Sequence, residues 1–401
     1  MRGLEDSNGG NRGMNKLWTH SFIQLNLVMM LLCIAFYLLL PALPLYIRSL
    51  GGSEAQIGLI IGLFTLSSML VRPLIGGLMI KYGRRSFMLS GLLLFLLSLI
   101  GYEFAVGLLG LLLLRIVHGM SWATSTAAIG ATVADIVPPH RRAEGVGWFG
   151  TAPTLAMAIG PLISVWVMDA QSFRHLFWYA ALLLLVALTL AYITRVPYAL
   201  QSAHSGIVFF ETRAGPILVI VFFNALALGG LLSFWPLFAE EIAVSNDLFF
   251  LAYACALLLS RPLTGQLADR YGEARIVLPG LLCAAAGMLV LSLADQPGLI
   301  IVAAVLFGLG FGSSQPALQA AVLRLSHPDR KSVANASFFT CFDLGNGLGA
   351  ILFGALSRYL SYSHLFLLGA ASLLISWCVF LASRSLLRSR LDEARAVRRP
   401  E

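Results

Sequence analysis

Apolar residues run along this chain in long blocks separated by short polar stretches. Crossing the hydrocarbon core of a bilayer takes about 20 such residues in helical form. The blocks predict spans near 22–45, 55–79, 87–106, 108–134, 145–168, 174–194, 215–239, 247–268, 275–294, 298–323, 333–357 and 363–383. The predicted fold class is therefore an all-α membrane protein of twelve transmembrane helices. The Gly/Asn-rich residues 1–20 are expected to be disordered. The spans divide into two six-helix bundles, 21–195 and 214–384, joined by a polar linker at 196–213 and followed by a basic tail at 385–401.

The two sets of six repeat one another. Arg72-Pro73-Leu74-Ile75-Gly76-Gly77-Leu78, followed by Lys81-Tyr82-Gly83, returns 189 residues later as Arg261-Pro262-Leu263-Thr264-Gly265-Gln266-Leu267, followed by Arg270-Tyr271-Gly272. The same offset carries Gly91 to Gly280, Gly119 to Gly308 and Gly160 to Gly349. Duplicated membrane halves with a site at their interface are a common construction of secondary transporters.

Polar positions inside the spans are few. Arg115 in span four sits where an arginine costs about 2.5–3.5 kcal/mol even on lenient insertion scales, so it is expected to face a wet cavity or a buried carboxylate; a structural arginine bonded to backbone carbonyls is the alternative. His118, which can titrate near neutral pH and is a further candidate for proton coupling, with a packed, singly bonded histidine as the alternative, and Trp122 follow on its helical face. Asp343 in span eleven is the acid deepest in any predicted span and the best candidate for a proton-carrying carboxylate. Asn26 and Tyr37 (span one), Asn224 (span seven), Gln315 and Gln319 (span ten), and Asn335 and Asn346 (span eleven) complete a sketch of a central amphipathic cavity.

Composition agrees with a membrane protein: 58% of residues are hydrophobic and only 11% charged, too apolar for a surface facing water. The net charge of +8 is explained by topology rather than by nucleic acid. Lys81, Arg84, Arg85, Arg141, Arg142, Arg270, Arg330, Lys331 and the tail arginines fall on one side of the predicted spans; Glu54, Glu103, Glu240, Glu241 and Asp247 fall on the other. The positive-inside rule then puts both termini in the cytoplasm, with anionic headgroups as a secondary partner for the tail. The five cysteines lie in apolar segments without CxxC spacing, which predicts packing roles rather than disulfides or metal ligation. The polar start predicts no cleaved leader. No phosphate-binding loop, zinc spacing or nucleophile elbow occurs, so neither ATP-driven transport nor enzymatic catalysis has support, and no cofactor or metal is expected.

The stretch from Gly76 through Lys81, Gly83, Arg84 and Arg85 resembles the G-x-x-x-D-R/K-x-G-R-R signature of the major facilitator superfamily, with Ile80 at the Asp position. The second copy keeps Asp269 and Arg270 but has Glu273-Ala274 for the Arg pair. The resemblance implies a conformational latch built from Gly76, Lys81, Gly83, Arg84, Arg85, Asp135, Asp269 and Arg270, with Asp135 the partner of Arg84 or Arg85 and the first-half side weakened by Ile80. Arg115-x-x-His118-Gly119 looks like the family's R-x-x-Q-G pattern, which implies a proton-coupling role for Arg115. Gly160-Pro161 resembles part of the bend motif of the family's antiporters.

Among its members the chain most resembles the bacterial drug–proton antiporters. The resemblance implies proton-coupled efflux by alternating access from an inner or cytoplasmic membrane, by a monomer. The cargo would be a small amphipathic organic molecule, a xenobiotic or a secreted metabolite such as a metallophore or siderophore. A proton-coupled importer or uniporter of a sugar or metabolite, and a non-transporting sensor or lipid-handling protein, remain as alternatives.

Overall fold

A computed structural model describes residues 17–105, 107–138, 141–170, 172–194, 211–326 and 331–396. Residues 1–16 of the start expected to be disordered and most of the 196–213 linker fall outside the described residues, as do the side chains of Ile80, Asp269, Arg270 and the tail from 385, and the surroundings of Gly76. Residues 17–20, expected to be disordered as well, are ordered, with Leu17 buried and Thr19 capping the first helix.

Twelve helices appear among the described residues: α1 (His20–Ser49), α2 (Glu54–Tyr82), α3 (Arg84–Phe104), α4 (Gly107–Ile136), α5 (Arg142–Ala170), α6 (Phe173–Ile193), α7 (Gly215–Glu241), α8 (Asn246–Tyr271), α9 (Ala274–Ser292), α10 (Pro297–Leu325), α11 (Lys331–Leu356) and α12 (Tyr362–Ala396). Each matches one hydropathy block, and all begin a few residues ahead of it or at its edge, several with polar residues that can still complete a helical turn. Eleven contain stretches long and apolar enough to cross a membrane. The apolar described part of α8, Asn246–Ser260, is shorter, although the helix itself has 26 residues and reaches about 39 Å.

One departure from the expected pattern lies in α1, which is broken into His20–Tyr37 and Leu39–Ser49 at Leu38. Pro41 has no N–H to offer the carbonyl of Tyr37, four residues back, so the helix restarts there. The start of α2 is fixed by a reciprocal capping box between Ser53 and Gln56.

Helix packing repeats as faithfully as the sequence. In the first six, α1 packs on α5 and α6, α2 on α4, and α3 on α4 and α6; in the second, α7 packs on α11 and α12, α8 on α10, and α9 on α10 and α12. Gly83 and Gly272 occupy equivalent turns, both with φ of 85°. That left-handed region admits glycine without strain, so the repeated glycine is a repeated turn.

The two sets meet through α2 against α11, α5 against α8, and the second segment of α1 against α7. Small residues bring α2 and α11 into backbone contact: a Cβ on Gly58 would strike the Ala350 carbonyl, and one on Gly347 the Thr65 hydroxyl. Without a hydrophobic driving force between helices in lipid, such close approach is how they gain packing energy.

Candidate functional site

Asp343 lies near the middle of α11, 7% exposed. Its carboxylate does not meet Arg115; it meets Arg72, well inside α2. Arg72 donates to Asp343 Oδ2 from Nη2 at 2.8 Å and from Nε at 3.1 Å, and Ser68 donates to the same oxygen at 3.2 Å. The guanidinium also stands 5.7 Å from the Phe339 ring centroid, on α11. All three donors take Oδ2, and no described residue donates to Oδ1. This charged pair bridges the two six-helix sets in their interior. Breaking a buried pair by removing one partner costs about 3–5 kcal/mol, so loss of either side chain would weaken the contact of α2 with α11.

Arg115 belongs to a separate network within the first six helices. It is 1% exposed and donates to the Ile60 carbonyl at 3.4 Å and to Tyr102 Oη at 3.5 Å, both near the limit of a hydrogen bond. Its guanidinium lies 4.5 Å from the Phe64 ring centroid, a cation–π arrangement. Tyr102 Oη is 3.0 Å from His118 Nδ1, and His118 is fully buried with Nε2 unpartnered. Phe95 and Phe64 pack edge-on against its ring. No chain of hydrogen bonds among the described residues joins this network to Asp343.

The remaining cavity candidates are divided between the halves and bonded locally. Asn26 donates to the Phe22 carbonyl in its own helix at 2.8 Å. Trp122 lies against Phe36, the ring centroids 4.5 Å apart and the planes tilted by 31°. Asn224 donates to Ser314 at 3.3 Å, and Gln319 to Asn335 at 2.9 Å. Gly160, beside Pro161, lies against Tyr37, and the Asn346 carbonyl lies against Gly229. Gln315 is half-buried on α10. The junction of the halves holds instead a recess of about 10 Å³, room for about one water. It is lined by Phe36, Leu39, Leu40 and Leu43 of α1, Ile61, Arg115 and Ser233. Of the sequence candidates it takes Arg115 alone; Asn26 bonds within its own helix, whereas Asn224 and Gln319 bond across to neighbouring helices.

At the Gly83 end, Arg84 pairs with Asp135 and also donates to the Ala131 carbonyl at 2.6 Å, tying α3 to α4. Arg85 donates to the Tyr192 carbonyl at 2.7 Å, and Lys81 stands 5.1 Å from the Tyr82 ring centroid. Glu273, which replaces the arginine in the second copy, forms a 2.9 Å ion pair with Arg324. The 189-residue offset carries Arg84 to Glu273 and Asp135 to Arg324. The second copy has therefore kept the ion pair with its charges exchanged. Both pairs hold helices within one half.

The opposite end carries a clasp that the sequence did not announce. Arg48, closing α1, lies 3.5 Å from Glu54 and donates to Glu240 of α7 at 3.0 Å and to Tyr362 of α12 at 3.2 Å; Tyr362 in turn donates to Glu54. Four helices from both halves are gathered there.

A family model described as Major Facilitator Superfamily matches residues 25–242 and 217–400. The staphylopine export protein of Staphylococcus aureus is 24% identical over 86% of this chain and 92% of its own length. A multi-drug resistance efflux pump PmrA homolog of Lactococcus lactis is 26% identical over 82% of this chain and 86% of its own. Among solved structures, a point mutant of the nucleoside transporter NupG superimposes with a TM-score of 0.74 at 15% identity, covering 90% of this chain and 99% of that one.

Proposed function

The chain belongs to the Major Facilitator Superfamily, a multi-pass membrane transporter and not an enzyme, and on that premise we propose that it exports a small amphipathic organic molecule in exchange for protons. The observation that carries this reading is the interior pair Arg72–Asp343 bridging α2 and α11. With Asp343 ionised and no cargo bound, the pair holds the halves together. A proton arriving at Oδ1 cancels the charge that Arg72 needs, and cargo wedged between the halves separates them. Either event unlocks the molecule while the empty, deprotonated protein stays shut. That condition makes exchange obligatory and prevents leak.

The relatives named as an exporter and as an efflux pump support the outward direction. The basic loops support a cytoplasmic placement of the Gly83 end and of both termini, in an inner or cytoplasmic membrane. The clasp of Arg48, Glu54, Glu240 and Tyr362 then seals the external face. A potential of about 100 mV supplies about 2.3 kcal/mol per charge, more than the roughly 1.4 kcal/mol of a tenfold cargo gradient.

Proteoliposomes loaded with a pH dye and screened with dyes and metallophores test the proposal. Cargo-dependent proton movement that disappears in Asp343→Asn is expected. Equal cargo flux in both proteins without proton movement would reassign the protein to facilitated diffusion.

A further inference from the structure

Two arginines lie in the described interior of this protein, and they differ in their counter-ions. Arg72 has Asp343 at 2.8 Å. Arg115, the more buried of the two, is held by two long bonds to neutral oxygens and by the face of Phe64, with no carboxylate among its described partners. A buried charge left without compensation is costly, and none of the described groups around Arg115 supplies a full negative charge. Arg115 lines the recess at the junction of the halves, where the other walls include Phe36, Leu40, Ile61 and, from α7, Ser233. One strong donor fork set among apolar and aromatic walls is the pattern of a ligand site that orients its occupant through a single charge-assisted contact.

We infer that this recess is the closed form of a cargo subsite, and that Arg115 receives the anionic group of an amphipathic organic carboxylate. The inference takes the proposed transport through a site between the halves as its basis and names the cargo class. A single negative charge fits better than a phosphate dianion, because the apolar walls would make the second charge expensive to desolvate. Tyr102 and His118 act as positioning residues: the 3.0 Å contact between them holds Tyr102 Oη where Arg115 can donate to it, which keeps the guanidinium beside Phe64 while no cargo is present.

The test uses the purified full-length protein as wild type, Arg115→Gln and Ser233→Asp. Each is titrated with benzoate, 1-naphthoate and anthracene-9-carboxylate, and with the amides of the same rings, while the thermal unfolding midpoint is followed. In the wild type, at least one carboxylate is expected to raise the midpoint saturably and to bind at least tenfold tighter than its amide. Arg115→Gln is expected to lose that preference. Ser233→Asp places a carboxylate of the protein's own in the recess; it is expected to raise the midpoint without ligand and to abolish carboxylate binding, and it decides the matter should Arg115→Gln fail to fold. The inference is overturned if no carboxylate shifts the wild-type midpoint, if amides bind as well as acids, or if the preference survives in Arg115→Gln or in Ser233→Asp. Proton flux in proteoliposomes is read separately. An Arg115-dependent carboxylate site in a protein that moves no protons would overturn proton-coupled export and leave the anion subsite standing. Proton-driven transport of the amides alone would do the reverse.

Discussion

The contact of α2 with α11 and that of α5 with α8 are related by the internal repeat, yet they are built differently. Gly58 and Gly62 on α2 correspond to Asp247 and Leu251 on α8, and Gly347 and Gly354 on α11 to Ala158 and Val165 on α5. The first contact is therefore the closer. It alone carries a described interior ion pair, because the counterpart of Asp343 is Thr154, which merely donates to the Gly150 carbonyl of its own helix. By contrast, Arg84–Asp135 and Glu273–Arg324 show that duplication preserved an ion pair at the helix ends even when the charges traded places. Pairs that only fasten a bundle need complementary charge in either order. A pair that, as proposed, takes up a proton between the halves would be needed once, with chemistry specific to that place.

That contrast can be broken most severely at Asp343. Asp343→Ala, which strands Arg72, is expected to destabilise the purified protein by about 3–5 kcal/mol in denaturant titration. The double variant Arg72→Met/Asp343→Leu is expected to recover that stability while remaining inactive in proton exchange, separating the pair's structural cost from its function. A double variant as unstable as the single one would place the loss elsewhere. Gly62→Leu adds a side chain that would run into the Gly347 carbonyl and Ile351, and overpacking of this kind costs about 1–3 kcal/mol. The equivalent exchange on the other contact, Leu251→Gly, removes an exposed side chain and is expected to leave transport intact.

Smaller effects sharpen the comparison at the helix ends. Arg84→Glu should cost on the order of 1 kcal/mol by setting two acids together, and adding Asp135→Arg should restore it, since the second half already runs that arrangement. Thermal midpoints of the three proteins check this; no recovery in the double variant would deny the equivalence of the two pairs. Glu240→Ala, in the half-exposed clasp, is expected to cost about 0–1 kcal/mol. Its effect would be read as a few-fold gain in labelling of cysteines placed near Ile61, with little change in midpoint.

Much of the architecture was legible in the sequence because hydropathy and the 189-residue repeat both report on lipid burial. The break at Leu38 has its signal in Pro41, which a continuous apolar block masks. Asp343 stands out as a deep acid, whereas its partner does not: Arg72 opens a motif whose other charges lie in the loop. Its position ten residues before the end of α2, about 15 Å into the helix, was the available signal, since a buried arginine calls for an acid. The charge-exchanged pair is hidden for the opposite reason. Glu273 reads as the loss of an arginine unless Arg324, at the position of Asp135, is placed beside it. The cavity residues could not be assembled from sequence because helical faces do not say which neighbour each side chain will bond.

Whether ionised Asp343 locks the halves is measured most directly by the distance between them. Spin labels at Leu50→Cys and Tyr359→Cys, in a protein without its own five cysteines, straddle the clasp end, one on each half. Pulsed dipolar spectroscopy in lipid nanodiscs is expected to show one short distance for the unprotonated wild type, joined by longer distances on acidification. Asp343→Asn should show the longer distances at every pH. A variant that keeps the wild-type distance and its pH response would contradict the lock.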